Sequence, residues 1–187
     1  MNSLNHHLKT PVLRMDFYLS FLCMMFFFIL MQLQLLITPD LVPINDFAAN
    51  DLLILDAKSF SLLHGNYSRV GFFHPGPFFL QLMAICEWFF YDWIRIIQSP
   101  IAAQMLATIL LNSFAIALLF NNFIDLFQSR MQAMVSVLLT IAITCLMMDT
   151  YQYYIGILFF INPWMPFIYV TATILAIAGL IGLYQHK

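Results

Sequence analysis

The residues that could perform chemistry are concentrated between positions 39 and 77. The segments on either side of this interval are almost entirely apolar. Charged groups held beside hydrocarbon are costly, and such groups predict a function more often than a packing role. The ionisable residues of the interval are Asp40, Asp46, Asp51, Asp56, Lys58, His64, Arg69 and His74.

Asp46 is the candidate general base, because a carboxylate can deprotonate or orient an acceptor hydroxyl. The alternative is that Asp46 only caps the N-terminus of a helix. Asp51 and Asp56 fall on other faces of that helix, and an interfacial position is the simpler interpretation for both. Asp51 is nevertheless kept as a candidate binding residue.

Three side chains could bind a phosphate group: His74, Arg69 and Arg95. Arginine can do so bidentately, which lysine cannot. The alternatives are that His74 sets a turn, that Arg69 extends to the membrane interface and that Arg95 is a cytoplasmic anchor. His64 and His74 match no standard metal-ligand spacing, so neither a metal nor a cofactor is predicted, and a divalent metal is the less favoured alternative.

The composition predicts an integral membrane protein. Hydrophobic residues make up 63% of the 187 residues and charged residues 9%, against roughly 25% charged residues in a soluble domain. The mean hydropathy is +0.88. The net charge of −2 and the absence of a basic run exclude a nucleic-acid partner and leave membrane lipid as the general one.

The apolar segments predict an all-α, polytopic fold with a single membrane domain over residues 1–187. Residues 1–16 carry basic side chains and are expected in the cytoplasm. An extracytoplasmic loop is expected over residues 38–99. The predicted transmembrane spans are 17–37, 101–120, 131–148 and 167–184.

Two helices are predicted inside the loop. The first covers residues 46–64 and places Asp46, Asn50, Ser61 and His64 on one polar stripe. The second covers residues 78–97 and follows a rigid turn made by His74-Pro75-Gly76-Pro77. Glu87 in this second helix is expected to pair with a basic group, line a cavity or pack. We predict an embedded helix, which keeps Arg130 and Lys187 in the cytoplasm; the alternative is a fifth span.

Four short motifs resemble the front part of GT-C type polytopic glycosyltransferases. Pro43–Ala48 is similar to the acidic motif after the first span of that family, and Phe73–Phe78 resembles its His-Pro-Pro turn. Trp93–Arg95 with Ser99–Ala102 is similar to the arginine that precedes the next span, and Asn162–Pro166 resembles a later turn. The chain departs from the family in having Asn45-Asp46 for a paired acid and His-Pro-Gly-Pro for His-Pro-Pro.

The resemblance implies transfer of a sugar from a polyprenyl-phosphate donor on the extracytoplasmic face, in a bacterium the periplasmic side of the inner membrane. It implies Asp46 as the catalytic residue and His74 and Arg95 as substrate-binding residues. Arg69 and Asp51 are added as substrate-binding candidates from their charge and position in the loop, not from the resemblance. Members of the family are usually longer, so a C-terminal remainder or a partner membrane subunit is expected to complete the enzyme. Two other functions stay open: a non-catalytic subunit that binds lipid phosphate or resembles a transporter, and a structural membrane protein.

Overall fold

The computed structural model describes residues 15–39, 46–65, 76–149 and 165–185, and these are helical with short connections and no β-strand. The predicted all-α class is therefore confirmed. The helices are α1 Met15–Met31, α2 Leu33–Ile37, α3 Asp46–Lys58, α4 Phe78–Cys86, a π-helix Glu87–Trp93, α5 Pro100–Phe127, α6 Arg130–Asp149 and α7 Met165–Gln185.

Helix α5 is the centre of the fold, and α1, α4, α6 and α7 all pack against it. Its 28 residues begin at Pro100, which suits the first turn of a helix because proline has no N–H to leave unpaired. It ends where Gln128 adopts a left-handed φ of 54°. The sequence also predicts a short loop over residues 121–130, between the second and third predicted spans, and this prediction is wrong: residues 121–127 continue α5. No proline or glycine interrupts this region, and the Asn122 side chain donates a 2.6 Å hydrogen bond to the Ala178 carbonyl on α7.

Within the described residues one helix, Pro100–Phe127, is both long and apolar enough to cross a membrane. The other apolar helices are shorter: Met15–Met31 and the described parts Arg130–Thr144 and Thr173–Tyr184. The segment predicted as one span over 17–37 is interrupted at Gln32, where φ is −117° and the side chain is buried. The interruption places an amide side chain inside the fold instead of on an apolar surface.

Helix α3 is shorter than predicted, because it ends at Lys58 and not at residue 64. The hydroxyls of Ser59 and Ser61 donate to the Asp56 carbonyl at 2.8 and 2.9 Å. Serine side chains that bond nearby carbonyls compete with helix continuation. Ser61 and His64 therefore lie beyond the helix, and the predicted polar stripe through them does not form.

The segment predicted as one helix over residues 78–97 is not a single regular helix. It is regular only to Cys86, continues as the π-helix, and is followed by Arg95 with a left-handed φ of 57°. The turn before it agrees with the sequence, since Gly76 has a φ of 78° and α4 begins directly after Pro77. A Cβ atom at Gly76 would meet no atom of the described residues within 4 Å, and the positive φ is the feature that favours glycine there.

The first turn of α1 lies near the start of α6. The Arg130 guanidinium donates to Asp16 through Nη2 at 3.1 Å and Nε at 3.3 Å. Because α6 starts directly after α5 ends, this contact places the beginning of α1 beside the end of α5. The two helices pack closely, and they therefore run antiparallel.

Candidate functional site

A cluster of charged and amide side chains joins α3, the π-helix and α5. We call it the charged cluster, and its members are Asp51, Lys58, Glu87, Asp92 and Gln104. Two members come from α3, two from the π-helix and one from the first turns of α5. Apolar side chains of α3, α4 and α5, among them Ile54, Leu80 and Ala107, form a small core beside it.

Lys58 binds two carboxylates at once. Its ammonium lies 2.8 Å from Glu87 Oε1 and 2.5 Å from Asp92 Oδ2. The Lys58 side chain is 20% exposed, Glu87 3% and Asp92 36%, so the contact extends from the interior to the surface. Lysine is suited to this position because its ammonium has three donors that can point in different directions.

Gln104 completes the pairing of Glu87. Its amide nitrogen donates to Glu87 Oε2 at 3.0 Å and to Asp51 Oδ1 at 2.7 Å. Both oxygens of the buried Glu87 are thus hydrogen-bonded, as a buried carboxylate requires. Gln104 is itself buried, and it holds carboxylates from two different segments beside the start of α5.

The surroundings favour the charged form of Lys58. Partial burial would lower the pKa of the ammonium, but the hydrogen bonds to Asp92 and Glu87 and the attraction of both carboxylates outweigh burial. The pKa of Lys58 is raised above its ordinary value of 10.5. The Lys58 ammonium therefore stays protonated throughout the neutral range.

The charge of the cluster limits what it can bind. The cluster contains three carboxylates and one ammonium, so it has formal excess negative charge and disfavours direct contact with a phosphate. Carboxylate oxygens accept hydrogen bonds from hydroxyl groups. Asp92, which is partly exposed, and Asp51, which is half-buried, are the members that a polyhydroxylated ligand could reach.

The predicted site residues are only partly brought together. Asp51 is a member of the charged cluster. Arg95 is exposed, and its Nε makes a long 3.4 Å contact with the Asp92 carbonyl. Among the described residues Arg95 forms no hydrogen bond with Asp51, so these two predicted binding residues are not direct partners.

Three other predictions cannot be compared with side-chain positions. Asp46 is the first residue of α3, one helical turn before the buried Asn50, but its side chain lies outside the described part of the chain. Arg69 and His74 also lie outside the described residues. Where the structure does describe the chain, no set of three His, Cys, Asp or Glu side chains is arranged to hold a metal ion, and the absence of a metal remains a prediction.

Sequence reasoning missed Lys58, Asp92 and Gln104 as members of a site. One signal was available, because Glu87 interrupts an apolar segment. Of the three roles left open for Glu87, the structure shows pairing with a basic group, Lys58. The sequence around Gln104 does not indicate a site, because an uncharged amide near the start of an apolar helix is compatible with an ordinary position at the membrane interface.

Comparison with known proteins adds nothing to this geometry: no protein family, no characterised protein and no solved structure matches the chain.

Proposed function

We propose that this chain is a polytopic integral membrane protein and the membrane module of a GT-C-like glycosyltransferase. It would transfer a sugar from a polyprenyl-phosphate donor on the extracytoplasmic face, with Asp46 as the base that orients the acceptor. The observation that carries the proposal is the charged cluster, which fixes the helix that starts at Asp46 against the first turns of α5.

The position of the cluster supports a membrane-spanning arrangement. Gln104 lies near the start of α5, and Arg130 with Asp16 lies beyond its end. From Gln104 to Phe127 the helix rises about 35 Å at roughly 1.5 Å per residue, comparable to a hydrocarbon core of roughly 30 Å. Two charged groups separated by this length of apolar helix are expected on opposite membrane surfaces.

The same geometry favours four spans over five. If α4 and the π-helix crossed the membrane, α5 would begin at the surface where α1 begins. Instead α1 begins near the end of α5. An embedded segment from Phe78 to Trp93 therefore accounts for the antiparallel packing, and it leaves the charged cluster on the extracytoplasmic side with the loop.

The division of charge suits a sugar linked to a lipid phosphate. The excess negative charge of the cluster suits a sugar, because Asp51 and Asp92 could accept hydrogen bonds from its hydroxyl groups. The phosphate needs cationic partners, for which Arg95, Arg69 and His74 are the proposed residues. The sugar of the donor would then lie against the carboxylates of the cluster, and its phosphate would lie against the proposed cationic residues.

The proposal is tested with the chain completed by its expected remainder or partner, reconstituted in liposomes. A radiolabelled polyprenyl-phosphate hexose serves as the probe. Asp46→Asn should lower transfer by roughly 100-fold or more, the usual effect of losing a general base, while binding of the labelled lipid persists. Asp56→Asn is the matched control, since Asp56 is exposed on the same helix. Transfer by Asp46→Asn within a few-fold of wild type would refute the catalytic role.

One observation favours the transporter-like alternative. Gln104, Thr108 and Asn112 are buried and spaced one helical turn apart, so a polar line extends from the charged cluster into α5. Polar side chains at this depth often mark a pathway. Replacing Asn112 with leucine should abolish transmembrane flux of the labelled lipid if the chain is a transporter, and should leave transfer by a glycosyltransferase within a few-fold of wild type.

A further inference from the structure

The π-helix carries two pairs of residues five positions apart: one pair shares a binding partner, and the members of the other stack on each other. Glu87 and Asp92 share the Lys58 ammonium, at 2.8 and 2.5 Å. Trp88 and Trp93 stack with ring centroids 5.5 Å apart and planes 25° from parallel. One pair faces α3 and the other is at the surface, where Trp88 is 53% and Trp93 64% exposed.

Both contacts depend on the helical register. In an α-helix, residues five positions apart are separated by about 140° around the axis, since each residue advances about 100°. In a π-helix each N–H bonds the carbonyl five residues earlier, so positions five apart lie close to one full turn. The Ile94 N–H bonds the Phe89 carbonyl at 2.9 Å in this pattern.

π-Helical segments are rare and normally short. The two sets of contacts between positions five apart favour this register here, because an α-helix would separate their members. The Lys58 contact is the strongest available, because it joins opposite charges beside a buried carboxylate. The stacking of the two exposed indoles is weaker.

We propose that Lys58 holds residues 87–93 in the π register. The Trp88–Trp93 pair then stacks only while α3 is bound to the π-helix through Lys58. If Lys58 releases the two carboxylates, the segment returns to the α register, and both pairs separate together. The binding of α3 to the π-helix is thereby coupled to the shape of the surface that the two indoles form. This coupling does not depend on the chemistry that the protein performs.

The test uses the exciton couplet that two stacked indoles give in circular dichroism. The full chain is purified in detergent with Trp164→Phe, so that Trp88 and Trp93 are the only indoles in the protein. This background should show the couplet, and Trp88→Phe should remove it. Absence of a couplet from the background protein would refute the stacking.

Lys58→Met should remove the couplet, whereas Lys58→Arg should retain it. Asp92→Asn, which removes only the partly exposed carboxylate, should weaken it in a protein that keeps its helical signal. The matched control is Asp56→Asn, on the exposed face of the same helix, which should leave the couplet unchanged. A full couplet in both Lys58→Met and Asp92→Asn would overturn the proposal. If Lys58→Met fails to fold, Asp92→Asn decides alone.

Discussion

Two charged contacts lie at opposite ends of α5, and they differ in how much structure depends on them. At the start of α5, Lys58 is bound by two carboxylates, one of them buried, and Gln104 extends the contact to Asp51. At the other end, Arg130 binds Asp16 with 76% of its own side chain exposed. The buried contact joins three segments of the chain, whereas the exposed contact joins two helix ends.

The two contacts differ in importance because one is buried and the other is exposed to solvent. Removing one partner from a buried ion pair leaves an uncompensated charge in a poorly solvated site. An exposed pair that loses one partner is simply hydrated, and most such pairs contribute little. The first contact is therefore expected to determine the position of α3, and the second mainly marks where α1 and α6 begin.

The largest expected effect is that of Lys58→Met. Glu87 would keep only its bond from Gln104, and we expect a loss of about 3 kcal/mol, the lower end for a broken buried pair because Lys58 is partly exposed. The measurement is the free energy of unfolding in micelles. Lys58→Arg should recover most of the loss, and a loss below about 1 kcal/mol would place Lys58 among ordinary surface pairs.

Gln104→Leu should have the next largest effect. It removes the donor shared by Asp51 and Glu87, and hydrogen bonds to charged groups contribute about 2 kcal/mol. Thr108→Val, one turn further along α5, is the matched control, because the Thr108 hydroxyl makes only a long 3.4 Å bond to its own helix. Equal losses in the two variants would show that Gln104 acts by packing alone.

Alkaline pH should weaken the contact of Lys58 with Glu87 and Asp92 gradually. The pKa of Lys58 is raised in the folded state, so its contribution is complete below the pKa of the unfolded chain and is lost as the pH rises through the folded value, above 10.5. The loss should be absent in Lys58→Met, which has no ammonium, and in Lys58→Arg, which stays charged. Parallel pH curves for all three proteins would assign the loss to other groups.

Arg130→Met should have the smallest effect, between about 0 and 1 kcal/mol, as for other exposed pairs. Raising the salt concentration should reduce even this difference, since exposed charges are screened. A loss as large as that of Lys58→Met would contradict the contrast between the two ends of α5.

The sequence predicted the helical class and the approximate positions of most helices because long apolar segments leave few alternatives. It did not predict where helices are interrupted or prolonged. The end of α3 depends on two serine hydroxyls bonding the Asp56 carbonyl, and the extension of α5 to Phe127 includes a contact of Asn122 with another helix. The serine bonds are local, whereas the Asn122 contact follows from the tertiary arrangement, and neither leaves a periodic signal in the sequence.

The site was predicted less well than the fold. Asp51 was a candidate and belongs to the charged cluster, whereas Arg95 is separate from Asp51. The π-helix explains why Asp92 was missed: at α-helical spacing Asp92 would not lie on the same side as Glu87. A change of register over a few residues therefore alters which charges meet.

We propose that the two ends of α5 lie on opposite sides of a membrane, with the charged cluster outside. Ser99 is buried, so the adjacent exposed Gln98 is the better reporter for the outer end, and the exposed Gln128 serves for the inner end. Each is replaced by cysteine in a background without the native cysteines, and intact cells are treated with a membrane-impermeant thiol reagent. Gln98→Cys should react from outside and Gln128→Cys only after the cells are opened. Reaction of Gln128→Cys but not Gln98→Cys in intact cells would contradict the topology and the extracytoplasmic site together.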